Sequence, residues 1–406
     1  MPALPNDLSP EVRAYATWSA LTESGDGAAL RLISRHGPVD ALDRVAHALR
    51  TWADVAPANR RADSACLATA TAAAPDATAI AAIDSAALKR WAPRFERLEI
   101  DSLLATHASY GGYLITPHDD AWPTRLADLG ARMPLALWCR GPRTDTLAPA
   151  PAPAPIAIVG ARAASTYGLH MARELAAELA MCGHPIISGG AFGIDGAAHR
   201  GALAADGPTL AILAGGVDRF YPRAHHDLLA AIEAAGLIIS EHPPGRTPSR
   251  FRFLERNRLI AALSDATVVV QAAIRSGALR TARDASELGR QVAAVPGPVT
   301  DMASSGCHEA IRSQLATLVT DACEVRELVT PIGTLDATKL SDAGGILDDL
   351  TPAQARVLDV LPPRGSLDIS AIADEAALSV AEVRAALGML TLANKATQIG
   401  HAFRRA

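Results

Sequence analysis

Arginine, phenylalanine and glycine crowd together in one part of this 406-residue chain. In FRFLERNRLI (251–260), Phe251 and Phe253 are interleaved with Arg252, Arg256 and Arg258, and Arg250 precedes them, in a chain that is only 4% aromatic. Flat apolar rings among guanidinium groups suit single-stranded nucleic acid, whose bases stack on the rings while its phosphates take the forked N–H donors. The same two phenylalanines also have a plainer use as core anchors beside a helix. From Arg246 to Arg290, nine arginines stand against four carboxylates, a local charge of +5 within a net charge of −5. A basic patch on an acidic protein asks for a confined anionic ligand rather than general adhesion to polyanions.

Two glycine turns carry phosphate chemistry of their own. IAIVGARAASTYG (156–168) reads as a strand, then Gly160 and Arg162, then a helix starting near Ser165. Glycine lets a ligand reach the backbone, a helix N-terminus supplies free amides, and Arg162 adds a fixed positive fork. As a dinucleotide fingerprint the turn fails, because G-x-G-x-x-G is absent and no acidic residue closes a second strand to hold a ribose. The bland alternative is that Gly160 merely permits a tight turn. SGGAFGIDGAAHRGAL (188–203) is denser. Ser188, Gly189, Gly190 and Gly193 make a loop leading into a helix that bears Asp195, His199 and Arg200. Asp195 and His199, four apart, have the spacing for acid-base work, but no nucleophile stands with them, so they read as a structural brace. His225 and His226 point to different sides of a helix and make a poor metal site.

These turns need a scaffold that brings them to one edge. The apolar runs 156–160, 185–190, 209–216, 237–240 and 267–272, with 292–297 closing the series, are rich in Ile and Val and show no in-and-out alternation. Such runs are strands buried on both faces. With helical segments of roughly 10 to 15 residues between them, they predict an α/β fold, a Rossmann-like parallel sheet covered by helices on both sides. Ligands bind such sheets beyond the carboxyl ends of the strands, where this chain puts its glycines. The core is expected over 106–328, after an N-terminal helical domain over 1–105. Within that domain SGDGAALRLISRHGPVDAL (24–42) looks like a SAM or helix-hairpin element, with Gly25 and Gly27 before an apolar helix and Gly37 after it. Its backbone amides can hold a DNA phosphate, or the element can simply pack on its neighbour.

The lead-in 113–141 reads as extended, with a short helix and an apolar strand at 135–139, and TDTLAPAPAPAP (144–155) as a stiff connector. A linker over 329–349 precedes a winged-helix domain over 350–406, with helices near 352–361, 369–376 and 380–393. That tail has a net charge of only +1 over 351–406, and its presumed recognition helix carries Arg384 beside Glu382. Reading a groove needs donors aimed at base edges, so a protein-contact or regulatory role suits this helix better.

Composition removes other classes. Apolar residues make up 49%, yet no 18-residue stretch is free of charge and of Pro or Gly breaks, so no membrane span is expected. MPALPNDLSPEVR lacks the basic patch and apolar core of a signal peptide, which points to the cytoplasm. Cys66, Cys139, Cys182, Cys307 and Cys323 are scattered and read as free thiols, with no metal and no cofactor expected.

The order of motifs is then recognisable. G-A-R at 160–162, S-G-G-A-F-G-I-D-G-A-A-H-R-G-A-L at 188–203, L-A-G-G-V-D-R-F-Y-P at 213–222, E-R-N-R-L-I-A at 255–261, R-S-G-A-L-R-T-A-R at 275–283, G-R-Q-V-A-A-V-P-G at 289–297 and S-G-C-H-E-A-I-R at 305–312 resemble the DNA-processing protein A family, DprA/Smf, over roughly 110–325. The resemblance implies a non-enzymatic homodimer that binds single-stranded DNA, also when coated with single-strand binding protein, and loads the RecA recombinase in natural transformation or recombination. Carried over by position, Arg162, the loop Ser188, Gly189, Gly190 and Gly193, then Phe253, Arg256, Asn257, Arg258, Arg275, Ser276 and Gly277 would line the DNA site. This chain departs from the family where Gly190, Ala191 and Phe192 replace Leu-Ala-Arg, which removes a phosphate contact. It departs again at Leu254, which replaces a proline and loosens the aim of Phe253. The rival reading is an enzyme similar to nucleoside-monophosphate phosphoribohydrolases. Against it, the turn at 275–283 lacks their glutamate and gains arginines. A third reading is a scaffold that loads nothing.

Overall fold

Successive residues of each apolar run pack on opposite faces of one sheet, which is why the runs lack polar alternation. In β3 (Ile156–Gly160), Ile156 and Ile158 join one hydrophobic layer, and Ala157 and Val159 the other. The computed structural model describes residues 8–55, 84–142, 144–147, 153–330, 351–362, 365–392, 395–400 and 402–405. The chain divides into two compact units, 1–332 and 333–406.

The first unit opens with α1 (Pro10–Leu21), α2 (Gly27–His36), α3 (Pro38–Val55), α4 (Ser85–Phe95) and α5 (Ile100–Ser109). Ser9 caps α1 with proline at its first position, and Asp26 caps α2 by accepting from Ala28 N at 3.1 Å. Trp18 and Trp91 meet edge to face at 5.4 Å at the centre of this helical layer. The layer docks on the sheet through Trp138, fully buried, whose indole donates to Ser19 Oγ at 3.1 Å.

Nine strands follow in one sheet: β1 (Tyr113–Ile115), β2 (Leu137–Arg140), β3, β4 (Ile186–Ser188), β5 (Thr209–Ile212), β6 (Leu237–Ser240), β7 (Ala266–Gln271), β8 (Gln291–Ala294) and β9 (Thr317–Leu318). Their order is β1-β2-β6-β5-β4-β3-β7-β8-β9, parallel except for the pairs β1·β2 and β2·β6. The helices α6 (Thr166–Met181) and α7 (Ile194–Ala204) cover one face, and α9 (Arg250–Ala262) and α10 (Gly277–Glu287) the other, with α8 (His226–Ala235) between β5 and β6 in sequence. After β8 come α11 (Ser305–Arg312) and α12 (Ala322–Val329). The strands at 185–190 and 209–216 are shorter than expected, pairing only over β4 and β5; their glycines lie in the loops beyond.

The second unit holds α13 (Pro352–Val360), β10 (Leu367–Asp368), α14 (Ile369–Ala376), α15 (Val380–Leu392), β11 (Ala396–Ile399) and β12 (Ala402–Arg405). Its sheet is antiparallel in the order β10-β12-β11, around a core that includes Val357, Ile372, Val383, Leu390 and Phe403. A capping box of Thr351 and Gln354 starts α13. The expected linker from residue 331, the centre of the Pro-Ala tract at 148–152, Cys66 and Arg364 lie outside the described residues. Among the described residues no helix is long and apolar enough to cross a membrane, and no group of three or more His, Cys, Asp or Glu is placed to hold a metal.

Candidate nucleic-acid interface

The chain leaves β3 for β4 on one side, while the strand beside β3 on the other is β7. The loops after β3 and β7 therefore part at one point on the carboxyl edge, and such a switch point opens a crevice. A cleft of about 530 Å³ lies there. Gly160 and Arg162 line it after β3, Ala191 and Asp195 after β4, Ser276 and Gly277 after β7, and Arg250, Phe253 and Asn257 from α9.

The Arg162 guanidinium lies over the ring of Phe253, 4.6 Å from its centroid, and Tyr221 stands beside the same ring at 5.9 Å. Phe253 is half-buried in the cleft wall and Phe251 is exposed, so neither is a core anchor. Arg162, Arg250 and Arg275 are exposed, and none of their three guanidinium groups has a hydrogen bond or ion pair with another described residue. Ser276 caps α10 by accepting from Ala278 N at 3.1 Å, and Asn257 Nδ2 donates to Gly277 O at 3.4 Å. A Cβ added at Gly277 would meet nothing, so the first turn of α10 is open to a ligand. Positive helix dipole, unpaired guanidinium groups and an aromatic ring thus share one crevice.

Most of the basic stretch is employed elsewhere, which corrects the simple reading of its +5 charge. Arg258 is fully buried and forks onto Glu241, with Nη1 to Oε1 at 2.8 Å and Nη2 to Oε2 at 2.7 Å. Burial opposes ionisation of Glu241, yet Arg258 prevails and holds its carboxyl at about 2. Expected at the DNA site, Arg258 instead turns from α9 into the interior with no exposed surface. Arg256, likewise buried, donates through Nη1 to Gly189 O at 2.7 Å and to Ile212 O. Burial lowers its pKa to about 10, against the pull of Asp195, so it stays charged at neutral pH. Arg252 pairs with Glu23, Arg280 with Glu255 and Arg290 with Asp128, while Arg246 donates to Ala20 O. Arg250 is the cleft cation that sequence reasoning left out of the site. Its signals in the sequence were its place among the arginines around Phe251 and Phe253 and its position right after Ser249, which caps α9.

Arg256 is the pillar of the glycine loop. Ser188, Gly189 and Gly190 are buried rather than facing solvent, and a Cβ at Gly189 would stand 2.3 Å from Arg256 Nη2. Gly190 and Gly193 take φ of 65° and 77°, which favours glycine. Asp195 Oδ2 accepts from Gly189 N at 3.2 Å and Ala191 N at 3.4 Å. Burial raises the Asp195 carboxyl, with Arg256 and these amides opposing. His199 does not reach it; its Nδ1 contacts Thr209 Oγ1 at 2.8 Å, and burial drives the imidazole down to about 3. The pair expected as a brace acts as two separate ones.

The loop at 23–26 is turned onto the core. Glu23 accepts from Arg252 Nε at 3.1 Å and Nη2 at 2.8 Å, and Ser24 Oγ donates to Glu241 Oε1 at 2.8 Å. This segment therefore packs on its neighbour, and through Arg252 it steadies the start of α9.

A family model described as DNA recombination-mediator protein A matches residues 113–330. A protein named putative DNA processing protein DprA in Mycobacterium tuberculosis is 48% identical over 297 residues, 70% of this chain and 75% of its own. Protein Smf of Escherichia coli is 39% identical over 234 residues, 57% of this chain and 61% of its own. The crystal structure of DNA processing protein A from Streptococcus pneumoniae superposes with a TM-score of 0.58 at 27% identity, covering 80% of this chain and 99% of that one.

Proposed function

This chain belongs to the DNA recombination-mediator protein A family, the DprA/Smf proteins, and we propose that it binds single-stranded DNA in the cleft at the β3/β7 switch point and delivers the strand to the RecA recombinase. The observation that carries this reading is Arg162 laid over Phe253 with exposed, unpaired Arg250 in the same crevice, and exposed Arg275 next in sequence to Ser276, which lines it. Phosphates would take Arg162, Arg250, Arg275 and the open first turn of α10 at Gly277, while a base stacks on Phe253. A duplex hides its base faces within the stack, so it would use only the ionic part of this site. Asn257 positions the Gly277 turn; Arg256, Gly189, Gly190, Gly193 and Ser188 support the loop rather than touch the strand.

No catalytic step is assigned. The Asp195 carboxylate in the cleft wall is engaged by loop amides beside Arg256, and the 275–283 turn offers guanidinium groups where a hydrolase needs a general acid or base. In the same reading the molecule works as a cytoplasmic homodimer on strands coated with single-strand binding protein. Residues 1–105 form a SAM or helix-hairpin-like helical domain and 350–406 a winged-helix domain suited to protein contact. The lag in RecA's DNA-dependent ATPase on coated strands tests delivery. Shortening of the lag at stoichiometric amounts is expected; an unchanged lag in a matched-species assay reduces the function to strand binding.

A further inference from the structure

We propose that Phe192 is a second stacking platform at the lip of the cleft, taking a nucleobase of the same strand; this rests on the reading of the cleft as a single-strand site. Phe192 is 45% exposed, between Ala191, which lines the cleft, and Gly193, whose added Cβ would stand 2.6 Å from Arg162 O. The backbone that carries the ring therefore runs beside the Arg162 turn.

A lone exposed phenylalanine is ordinary on a protein surface. This one is held in place by several independent fixings. Its centroid is 4.8 Å from that of His225, with the planes at 64°. His225 is buried, and its Nδ1 donates to Gly190 O at 3.1 Å, tying the imidazole to the loop that carries the phenyl ring. A Cβ at Gly196 would stand 2.7 Å from His225 Cε1, so the berth of the imidazole depends on that glycine. The two amides on Asp195 and the positive φ at Gly190 and Gly193 fix the backbone on both sides. An edge-to-face contact occupies at most one face of the phenyl ring and leaves the other open to a planar ligand.

The chemistry of the side chain selects the ligand. Phenyl has no donor for a phosphate, and what it offers is a π-face, which any base matches without sequence preference. An arginine here would instead add an ionic contact. The loop thus exchanges charge for stacking at this position, and the strand is held with a shallower salt dependence than an arginine would give.

The test is a fluorescence anisotropy titration of the full chain with oligo-dT over a range of salt, beside a thermal melt. F192A is expected to lose about 5- to 100-fold in affinity with an unchanged salt slope. F192R is expected to regain affinity with a slope steeper by about 0.7. In F192W, a base stacked on the new indole quenches emission on binding beyond what the wild type shows, a readout independent of any change in stability. F192A binding within twofold of wild type, or no added quenching in F192W, overturns the proposal. Failure of the wild type to bind single strands at all refutes the cleft reading instead.

Discussion

Replacing Arg258 with methionine removes the cation from a pair that water does not reach. The two side chains are 0% and 6% exposed, and both guanidinium forks are engaged by Glu241. In Arg258→Met the carboxylate keeps the Ser24 hydroxyl at 2.8 Å, while Arg132 O loses the donor that Arg258 Nε supplied at 2.9 Å. Breaking a buried pair on one side costs about 3–5 kcal/mol, whereas replacing both partners by apolar residues of similar volume is close to neutral. Urea unfolding should therefore show Arg258→Met less stable by about 3–5 kcal/mol, with much of the loss recovered in Arg258→Met/Glu241→Leu as a coupling term of the cycle. The pH dependence has a definite sign. In the wild type, Glu241 has a folded pKa of about 2 against 4.5 for the free group, so its contribution is complete above 4.5 and is lost as pH falls toward 2. In Arg258→Met burial, opposed only by the Ser24 hydroxyl and His242, raises the carboxyl, so the native variant takes up a proton first. The gap to wild type should then narrow from pH 7 to pH 4.5. An Arg258→Met protein of wild-type stability that binds single strands more weakly, with a shallower salt slope, would refute this account by showing that Arg258 reaches the strand.

Arg162→Ala and Arg275→Ala should each weaken binding to all sequences alike and reduce the salt slope by about 0.7, read by anisotropy at several salt concentrations. Phe253→Ala should lose about 1–3 kcal/mol of affinity with the slope unchanged and little change in melting temperature, since the ring is not part of the core. Gly189→Ala should lower both stability and binding, because its Cβ would stand 2.3 Å from the buried Arg256 Nη2; a wild-type melt would show that the pillar has room to move. Truncation after residue 330 should keep single-strand affinity within about tenfold, roughly 1.4 kcal/mol, and a larger loss would move the site into the C-terminal unit.

The strands of the apolar runs were legible because a parallel sheet buried on both faces leaves unbroken Ile and Val runs; their ends were misjudged, and the two-residue, exposed edge strand β9 leaves no such run and was missed. Gly189 and Gly190 continue the apolar run of β4 in sequence, but their backbone turns to receive Arg256. Arginines were harder to place. A side chain long enough to reach a phosphate is also long enough to fold back on a carboxylate, and Glu241, which claims Arg258, is seventeen positions away in sequence. Glu23 is farther still from Arg252, so the steadying of α9 by the N-terminal loop had no local signal. Phe192 was visible as a departure from the family pattern. Its meaning needed the position of His225, which only the fold brings beneath it.

The central claim is tested most directly by titrating the full-length protein against single-stranded and duplex oligonucleotides of equal length across a range of salt. The account predicts tight, length-dependent binding to single strands, with log K falling by about 0.7 per phosphate contact for each decade of salt, and much weaker binding to duplex. Equal affinity for the two forms would contradict it, because a site built around the face of Phe253 has no means of treating a stacked duplex as it treats an open strand.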